Sequence, residues 1–322
     1  MKYPDFIKKN DLIGITAPSA GVGRDLLKFD ASLARLANEG YRIKESKSVR
    51  VNSLVSNTAE IRAAELKELA EDKEVKMIIM ATGGDFMYEL MPQVDFASLL
   101  AHPKWLMGYS DPTNLLFTLT VRYDLATIYG FNAGDYANGE EDQLYNLRLL
   151  HGDIGEQKNY PFHQVDNPYG NNDFSYHIAT KWQGEARMKG RLIGGCMDIL
   201  AVLIGTEFGM INPFLEKYKE DGFIWYFDIY SLSSLNFYLH LLQFKYAGWF
   251  KYLKGIVLGR VCMPNIDTII DYREAVERAL PGVPLISEAD IGHVRPSFTL
   301  INGAIGEFSV KNSEASLRME LK

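Results

Sequence analysis

Short apolar runs alternate with helix-like patterns in the N-terminal half of the chain. Residues 12–16 (LIGIT) and 75–81 (VKMIIMA) are short, mainly apolar runs of the kind that buried strands show, and residues 41–44 (YRIK) are interpreted as a further strand. Between these runs, apolar residues recur at helix spacing, first at Phe29, Leu33, Leu36 and Ala37 and then at Ala63, Leu66, Leu69 and Ala70. Strands and helices in alternation predict a parallel sheet with helices on its faces.

The pattern breaks down between about residues 159 and 190, where Pro, Gly, Asn and Asp give turn signals without periodicity. A second set of strands follows, at residues 223–227 (FIWYF), 256–258 and 285–287. Between the first two, Leu235, Tyr238, Leu239 and Leu242 share one helix face, with Ser233 or Ser234 as the cap.

These patterns predict an α/β protein of two domains. An N-terminal domain over residues 1–160 would hold a mainly parallel sheet flanked by helices. A linker over residues 161–189 would lead to a smaller α/β C-terminal domain over residues 190–322.

Composition and charge narrow the classes of function. The chain has 322 residues, of which 47% are apolar and 23% charged, as in ordinary folded proteins. The net charge of −7, without a basic block, argues against a nucleic-acid or anionic-membrane partner. No apolar run approaches the ~20 residues of a membrane span, and residues 1–10 (MKYPDFIKKN) lack the apolar core of a signal peptide. Because Cys196 and Cys262 form no disulfide framework, we expect a cytoplasmic protein that handles a small ligand.

The most informative string is residues 107–114 (MGYSDPTN). Gly108 permits a tight turn after an apolar strand end, and Pro112 suits the first turn of a helix. Ser110 would then stand on a sharp strand-to-helix turn beside free backbone N–H groups, as a nucleophilic serine requires. The string is not the GxSxG elbow, because Pro112 replaces the second glycine. The alternative is that Ser110 or Asp111 only caps the helix.

A nucleophilic serine needs a base and an acid that orients the base. His293 lies in residues 290–296 (DIGHVRP), after the predicted strand 285–287, where active sites of α/β sheets gather. Asp228 directly follows the strand 223–227. A loop histidine without a role and a carboxylate that caps a turn are the respective alternatives.

A double glycine, Gly83-Gly84, precedes Asp85 at the end of another predicted strand. Backbone N–H groups at Gly84 and Asp85 could approach a ligand closely there, although two glycines are also a plain turn signal. The chain has no GxGxxG, Walker A or HExxH string and no His/Cys cluster at metal spacing. The sequence therefore predicts no metal and no nucleotide cofactor.

Taken together, these strings resemble the LD-carboxypeptidase family, which includes murein tetrapeptide carboxypeptidases and microcin C immunity peptidases. The matching strings are residues 11–19 (DLIGITAPS), 83–84 (GG), 108–111 (GYSD), 129–130 (YG), 190–195 (GRLIGG), 205–206 (GT) and 292–293 (GH). They occur in the family's order and cover nearly the whole chain.

The resemblance implies a cytoplasmic, metal-independent serine peptidase whose active site lies between its two domains. Such enzymes use a Ser-Glu-His triad to cut the bond between an L-centre and a C-terminal D-amino acid in cell-wall peptides. Ser110 and His293 match the nucleophile and the base, while Asp228 stands where the family has glutamate. Three outcomes are open: the backbone compensates for the shorter side chain, a neighbouring acid substitutes for it, or the chain binds its ligand without cutting it. We favour compensation.

The predicted oxyanion donors are the backbone N–H groups of Asp111 and of the Gly84-Asp85 turn. Arg295 could hold the free α-carboxylate of the substrate, the alternative being a surface arginine without a role. Trp182 could be the aromatic platform of an immunity peptidase that acts on a peptidyl nucleotide, although burial in the core is the alternative that we favour. The third residue of the peptide, lysine or diaminopimelate, stays open. So does the oligomeric state, for which a homodimer would be unsurprising.

Overall fold

The computed structural model describes residues 1–266, 269–312 and 314–322. The chain divides into two compact units, residues 1–153 (unit 1) and residues 154–322 (unit 2). The second unit is the longer one, against the expectation of a smaller C-terminal domain, because residues 154–189 belong to it. The stretch 161–189, predicted as a linker, contains two short strands and the beginning of a long one.

Unit 1 is a parallel sheet with helices, as the apolar runs predict. Its strands are β1 Leu12–Thr16, β2 Arg42–Glu45, β3 Val75–Met80, β4 Trp105–Gly108 and β5 Thr127–Tyr129. Its helices are α1 Leu26–Asn38, α2 Ala59–Glu71, α3 Met87–Leu90, α4 Phe96–Ala101, α5 Thr113–Tyr123 and α6 Glu141–Leu150, with 3₁₀ turns at Met91–Gln93 and Ala133–Asp135. The strands lie in the order β5-β4-β3-β1-β2, and each pair is parallel.

This strand order decides which loops of unit 1 are neighbours. In a parallel sheet all strands end at the same edge, so the loops that follow them gather there. Because β3 lies between β1 and β4, the glycine loop after β3 (residues 83–86) stands between the loop at Ser19 and the turn at Ser110. The strings at residues 11–19, 83–84 and 108–111 are thereby placed side by side.

Unit 2 holds a mixed sheet. Its strands are β6 Gln157–Lys158, β7 Phe162–His163, β8 Ile178–Ala179, β9 Ala186–Cys196, β10 Phe223–Asp228, β11 Leu253–Gly259, β12 Leu285–Ala289, β13 Leu300–Asn302, β14 Ile305–Lys311 and β15 Glu314–Glu320. Its helices are α7 Pro168–Asn171, α8 Met197–Leu203, α9 Asn212–Lys217, α10 Ser234–Tyr246 and α11 Tyr272–Ala279, with a 3₁₀ turn at Glu207–Gly209. The main sheet runs β12-β11-β10-β9-β14-β15-β6, and β9 to β12 are parallel.

The central strand β10 is buried at every residue, which explains its continuous apolar sequence. It ends at Asp228, and the loops after β10, β11 and β12 gather at the same edge of the sheet. The loop after β12 carries His293. The sheet therefore brings Asp228 and His293 to one edge although 65 positions separate them.

Helix α10 forms where predicted, and Ser233 caps it by accepting from the backbone N–H of Asn236. The predicted face is wrong, however. The helix buries Ser234, Phe237, Leu241 and Phe244, whereas Leu235 and Leu239 are exposed. The helix has apolar residues of its own around most of its circumference, so their spacing alone does not show which face is buried.

Within the described ranges, no single helix is long and apolar enough to cross a bilayer. One pair of short helical segments, Met197–Leu203 and Glu207–Lys217, meets the length and composition criteria when taken together, and it is bent by 111°.

Candidate active site

Ser110 stands on a strained turn between β4 and α5. Its φ angle is +68°, in the left-handed region that residues with a side chain rarely adopt. The backbone carbonyl of Ser110 accepts from the N–H of Thr113 at 2.9 Å, which starts the helix immediately after the turn. Helix α5 has no side-chain cap. Strain of this kind persists where the surroundings enforce it, and it is concentrated at functional sites.

The double glycine lies directly against this turn. A Cβ atom added to Gly83 would stand 3.3 Å from the Oγ atom of Ser110, and one added to Gly84 would stand 2.3 Å from the Oγ atom of Ser19. Gly84 has a φ of +139°, which disfavours any side chain. The two glycines thus let main chain approach the serine more closely than other residues would.

Three backbone N–H groups near Ser110 are open. Among the described residues, none accepts a hydrogen bond from the N–H of Gly84, Asp85 or Asp111. These are the groups that the sequence predicts as oxyanion donors. The N–H of Ser110 itself donates to the hydroxyl of Tyr129 at 3.3 Å.

Asp228 and His293 form a buried hydrogen-bonded pair in unit 2. The Nδ1 atom of His293 lies 2.8 Å from Oδ2 and 3.0 Å from Oδ1 of Asp228. The backbone N–H of His293 also donates to Oδ1 at 3.3 Å. The carboxylate is fully buried, and the imidazole is almost so. An acid on Nδ1 fixes the tautomer that leaves Nε2 able to accept a proton.

Gly292 allows the histidine loop to approach the acid. Its φ is +100°, and a Cβ atom there would stand 2.0 Å from Oδ1 of Asp228. Its N–H donates to the hydroxyl of Ser297 at 2.9 Å. The ring of Tyr230 lies 4.7 Å from the ring of His293. The main chain at Gly292 and His293 thus lies in close contact with the carboxylate of Asp228, whose side chain is one methylene shorter than glutamate.

Asp198 organises the loop that follows Asp228. Its carboxylate accepts from the backbone N–H groups of Tyr230 at 3.0 Å, Ser231 at 2.9 Å and Leu232 at 3.1 Å. Tyr230 in turn contacts His293, so Asp198 supports the Asp228–His293 pair indirectly, by holding the loop that carries Tyr230. Sequence reasoning missed this role, because nothing in the string around Asp198 reveals a loop 32 positions away.

Trp182 is buried, which is the alternative favoured from the sequence over a role as an aromatic platform. Its side chain is 3% exposed, and it packs on Phe298 and Phe308. The indole N–H donates to Oδ2 of Asp290 at 3.0 Å, and Oδ1 of the same residue pairs with Arg260 at 2.5 Å. Buried indoles need such a partner, so Trp182 is part of the core below the histidine loop.

Arg295 lies two residues after His293 and is half-buried. Its backbone exchanges hydrogen bonds with Gln164: the N–H of Arg295 donates to the side-chain Oε1 at 3.2 Å, and the Gln164 N–H donates to the Arg295 carbonyl at 2.9 Å. Its role as a carboxylate-binding residue stays a prediction.

A pocket of about 360 Å³ lies in unit 2 next to Gln164. Charged and titratable side chains line much of it, namely His163, Asp166, Lys181 and Glu288. Burial is the main reason that the pKa of His163 falls to about 4 and that the pKa of Glu288 rises. In the described parts of the chain, this pocket included, no group of three or more His, Cys, Asp or Glu residues is arranged to hold a metal ion.

Comparison with known families decides the classification. Residues 13–130 match the family model described as LD-carboxypeptidase N-terminal domain, and residues 189–308 match the LD-carboxypeptidase C-terminal domain. The chain belongs to the LD-carboxypeptidase family. It is therefore a member of a peptidase family, and the resemblance seen in the motifs is confirmed.

Relatives of this chain include a protein named as a murein peptide carboxypeptidase and a protein named for self-immunity to microcin C7. A probable murein peptide carboxypeptidase of Bacillus subtilis is 24% identical over 316 residues, which cover 94% of this chain and 89% of the relative. The microcin C7 self-immunity protein MccF of Escherichia coli is 25% identical over 342 residues, which cover 95% and 93%.

Solved structures confirm the fold. A structure of MccF in complex with aspartyl sulfamoyl adenosine superposes with a TM-score of 0.83 at 22% identity, covering 98% of each chain.

Proposed function

We propose that the chain is a metal-independent serine carboxypeptidase that hydrolyses the L–D peptide bond before a C-terminal D-amino acid in murein-derived peptides. The observation that carries the proposal is the buried Asp228–His293 pair, with 2.8 Å between Oδ2 and Nδ1. A buried acid on Nδ1 prepares the imidazole to act as a general base. The strained turn at Ser110 supplies the second part of the argument.

In the proposed reaction, Nε2 of His293 takes the proton of Ser110 as Oγ attacks the carbonyl carbon of the scissile bond. Asp228 stabilises the imidazolium that forms. When the tetrahedral intermediate collapses, the C–N bond breaks and His293 gives its proton to the leaving D-amino acid. Water, activated by the same histidine, then releases the acyl group from Ser110.

The negative charge on the tetrahedral oxygen needs donors that are already in place. The open N–H groups of Gly84, Asp85 and Asp111 are our candidates for these donors. Their support is the absence of an acceptor for them in the described parts of the chain, together with the contact of the double glycine with Ser110.

Aspartate in place of the family's glutamate is compatible with catalysis in this account. The side chain is one methylene shorter, but the hydrogen bonds to the ring and backbone N–H of His293 are formed. Gly292 brings the main chain to the carboxylate, since no side chain would fit between them. These contacts support compensation by the backbone and argue against a triad that has lost its acid.

Mass spectrometry of four peptides tests the proposal. The purified protein, with EDTA present, is incubated with L-Ala-γ-D-Glu-L-Lys-D-Ala, with its diaminopimelate version, and with the same two peptides ending in L-alanine. Release of D-alanine without release of L-alanine supports the proposal. The Ser110→Ala protein serves as the control, and D-alanine release by that variant at the parent rate would overturn the serine mechanism.

Similarity to MccF favours a second candidate, an immunity peptidase that acts on an aminoacyl or peptidyl nucleotide. The burial of Trp182 argues against its role as a platform for the base, so this candidate is supported by the comparison. Hydrolysis of an aminoacyl sulfamoyl adenosine without turnover of the tetrapeptides would favour it. The cytoplasmic location and a homodimer stay predictions.

A further inference from the structure

The side chain of Asp111 joins two loops of the proposed site. Its Oδ2 atom accepts from the backbone N–H of Met87 at 2.8 Å, and its Oδ1 atom accepts from the side-chain amide of Asn114 at 2.9 Å. Met87 directly follows the glycine loop, residues 83–86, and Asn114 lies in the first turn of α5. The carboxylate is 1% exposed. It therefore ties the end of the glycine loop to the turn that carries Ser110.

A third loop joins the same carboxylate. The hydroxyl of Ser19, in the loop after β1, hydrogen-bonds to Asp111 and accepts from the backbone N–H of Phe86 at 3.1 Å. The N–H of Ala20 donates to the carbonyl of Gly83 at 3.2 Å. The loops after β1, β3 and β4 thus share one buried network, with Asp111 at its centre.

The carboxylate does not cap α5, the helix that follows it in the chain. Helix α5 has no side-chain cap, and the backbone N–H group that donates to Asp111 belongs to Met87, at the start of α3. Burial raises the pKa of Asp111 to about 6. A carboxylate that is ionised in this environment at neutral pH costs stability, and groups of this kind are concentrated at functional sites.

We infer that Asp111 is a positioning residue, whose side chain holds the open N–H groups of the glycine loop in place beside the Oγ atom of Ser110. The inference rests on the proposed function. Because Asp111 acts through Met87 and Ser19, its loss would displace the donors without removing the nucleophile. Displacing such donors by about an ångström lowers the rate on the order of 10²-fold.

The test compares Asp111→Asn with a matched control, Glu65→Gln. Glu65 is also a buried carboxylate of unit 1, and it accepts from the backbone N–H of Ser48 at 3.2 Å and from its hydroxyl at 2.9 Å. Four quantities are measured for each protein: kcat for D-alanine release, KM for the same reaction, the rate at which a fluorophosphonate probe labels Ser110, and the unfolding midpoint in urea.

We expect Asp111→Asn to lower kcat and the labelling rate on the order of 10²-fold, with KM changed by less than about threefold. Glu65→Gln should leave both rates within about twofold of the parent. Equal rate losses in the two variants would overturn the inference, because general destabilisation would then explain them. Should Asp111→Asn fail to fold, Ser19→Ala removes one hydrogen bond of the network, and we expect a loss of about tenfold; parent rates in that variant would overturn the inference.

The two hypotheses fail separately. Labelling that persists in Ser110→Ala would reject the proposed nucleophile and, with it, the role of Asp111. Labelling that needs Ser110 but is unchanged in Asp111→Asn would reject the positioning role alone. The probe reads the reactivity of Ser110 without a peptide, so an incorrect choice of substrate does not affect this test.

Discussion

The carboxylate of Asp228 holds both the ring and the backbone of His293, with 2.8 Å to Nδ1 and 3.3 Å to the main-chain N–H. A single acid thereby fixes the tautomer, the ring orientation and the position of the loop. The geometry leaves little room for a longer acid, because Gly292 is already in close contact with the same carboxylate.

Asp228→Glu should therefore impair the enzyme, even though it restores the residue usual in the family. The added methylene would push the carboxylate into the Gly292–His293 main chain, and we expect kcat/KM to fall on the order of 10²-fold. Steady-state release of D-alanine measures this. Activity in Asp228→Glu equal to or above that of the parent would show that the aspartate is a weakened acid rather than a compensated one.

Gly292→Ala should abolish activity, since its Cβ atom would stand 2.0 Å from Oδ1 of Asp228. Gly282→Ala is the matched control: Gly282 also has a positive φ, +79°, but no atom lies within 4 Å of the added Cβ. We expect the control to lose about 1 kcal/mol of stability and to keep its kcat. Similar kcat values in the two variants would contradict this account of the histidine loop.

The strained φ angle of Ser110 predicts that relieving the strain raises the free energy of unfolding, although the substitution that relieves it removes the nucleophile. Glycine adopts a φ of +68° without strain, whereas serine and alanine are strained at this angle. We expect Ser110→Gly to be more stable than Ser110→Ala by about 1 kcal/mol, with both variants inactive. Urea unfolding followed by tryptophan fluorescence gives the difference. A glycine variant no more stable than the alanine variant would mean that the turn is not strained.

Asp111 should also affect how stability depends on pH. Burial and, to a lesser degree, the nearby Asp85 carboxylate raise its pKa from 3.8 to about 6, against hydrogen bonds from Ser19, Met87 and Phe86. A raised carboxyl pKa contributes stability below about pH 4 that is lost as pH rises through about 6. Replacing Asp111 by asparagine removes this loss.

The free energy of unfolding of Asp111→Asn, relative to the parent, should therefore rise by roughly 2–3 kcal/mol between pH 4 and pH 7.5. Urea unfolding at the two pH values measures the change. An unchanged difference would show that Asp111 titrates normally. The activity loss expected for this variant is independent of that result.

Much of the fold could be predicted from the sequence, because buried parallel strands appear as continuous apolar runs. Strand β1 matches its prediction, and β3 and β10 match theirs to within one residue. The stretch predicted as a linker, residues 161–189, belongs to unit 2 instead. Residues 154–189 are held to this unit by partners distant in the sequence, as in the pairing of β6 with β15. Turn-rich composition indicates loops but not the unit to which they belong.

The site was predictable only where a local string carries the chemistry. The turn at Ser110 follows from glycine and proline at fixed positions around it. The contacts of Asp111 with Met87, and of Trp182 with Asp290, join residues 24 and 108 positions apart. Such pairs depend on strand order and packing, which residue patterns do not specify.

One measurement tests the central claim most directly: the rate of D-alanine release from L-Ala-γ-D-Glu-L-Lys-D-Ala in EDTA by the parent, Ser110→Ala and His293→Ala proteins, each shown to be folded by circular dichroism. The account predicts steady release by the parent and a loss of at least about 10³-fold in both variants. Release at the parent rate by either variant would contradict it.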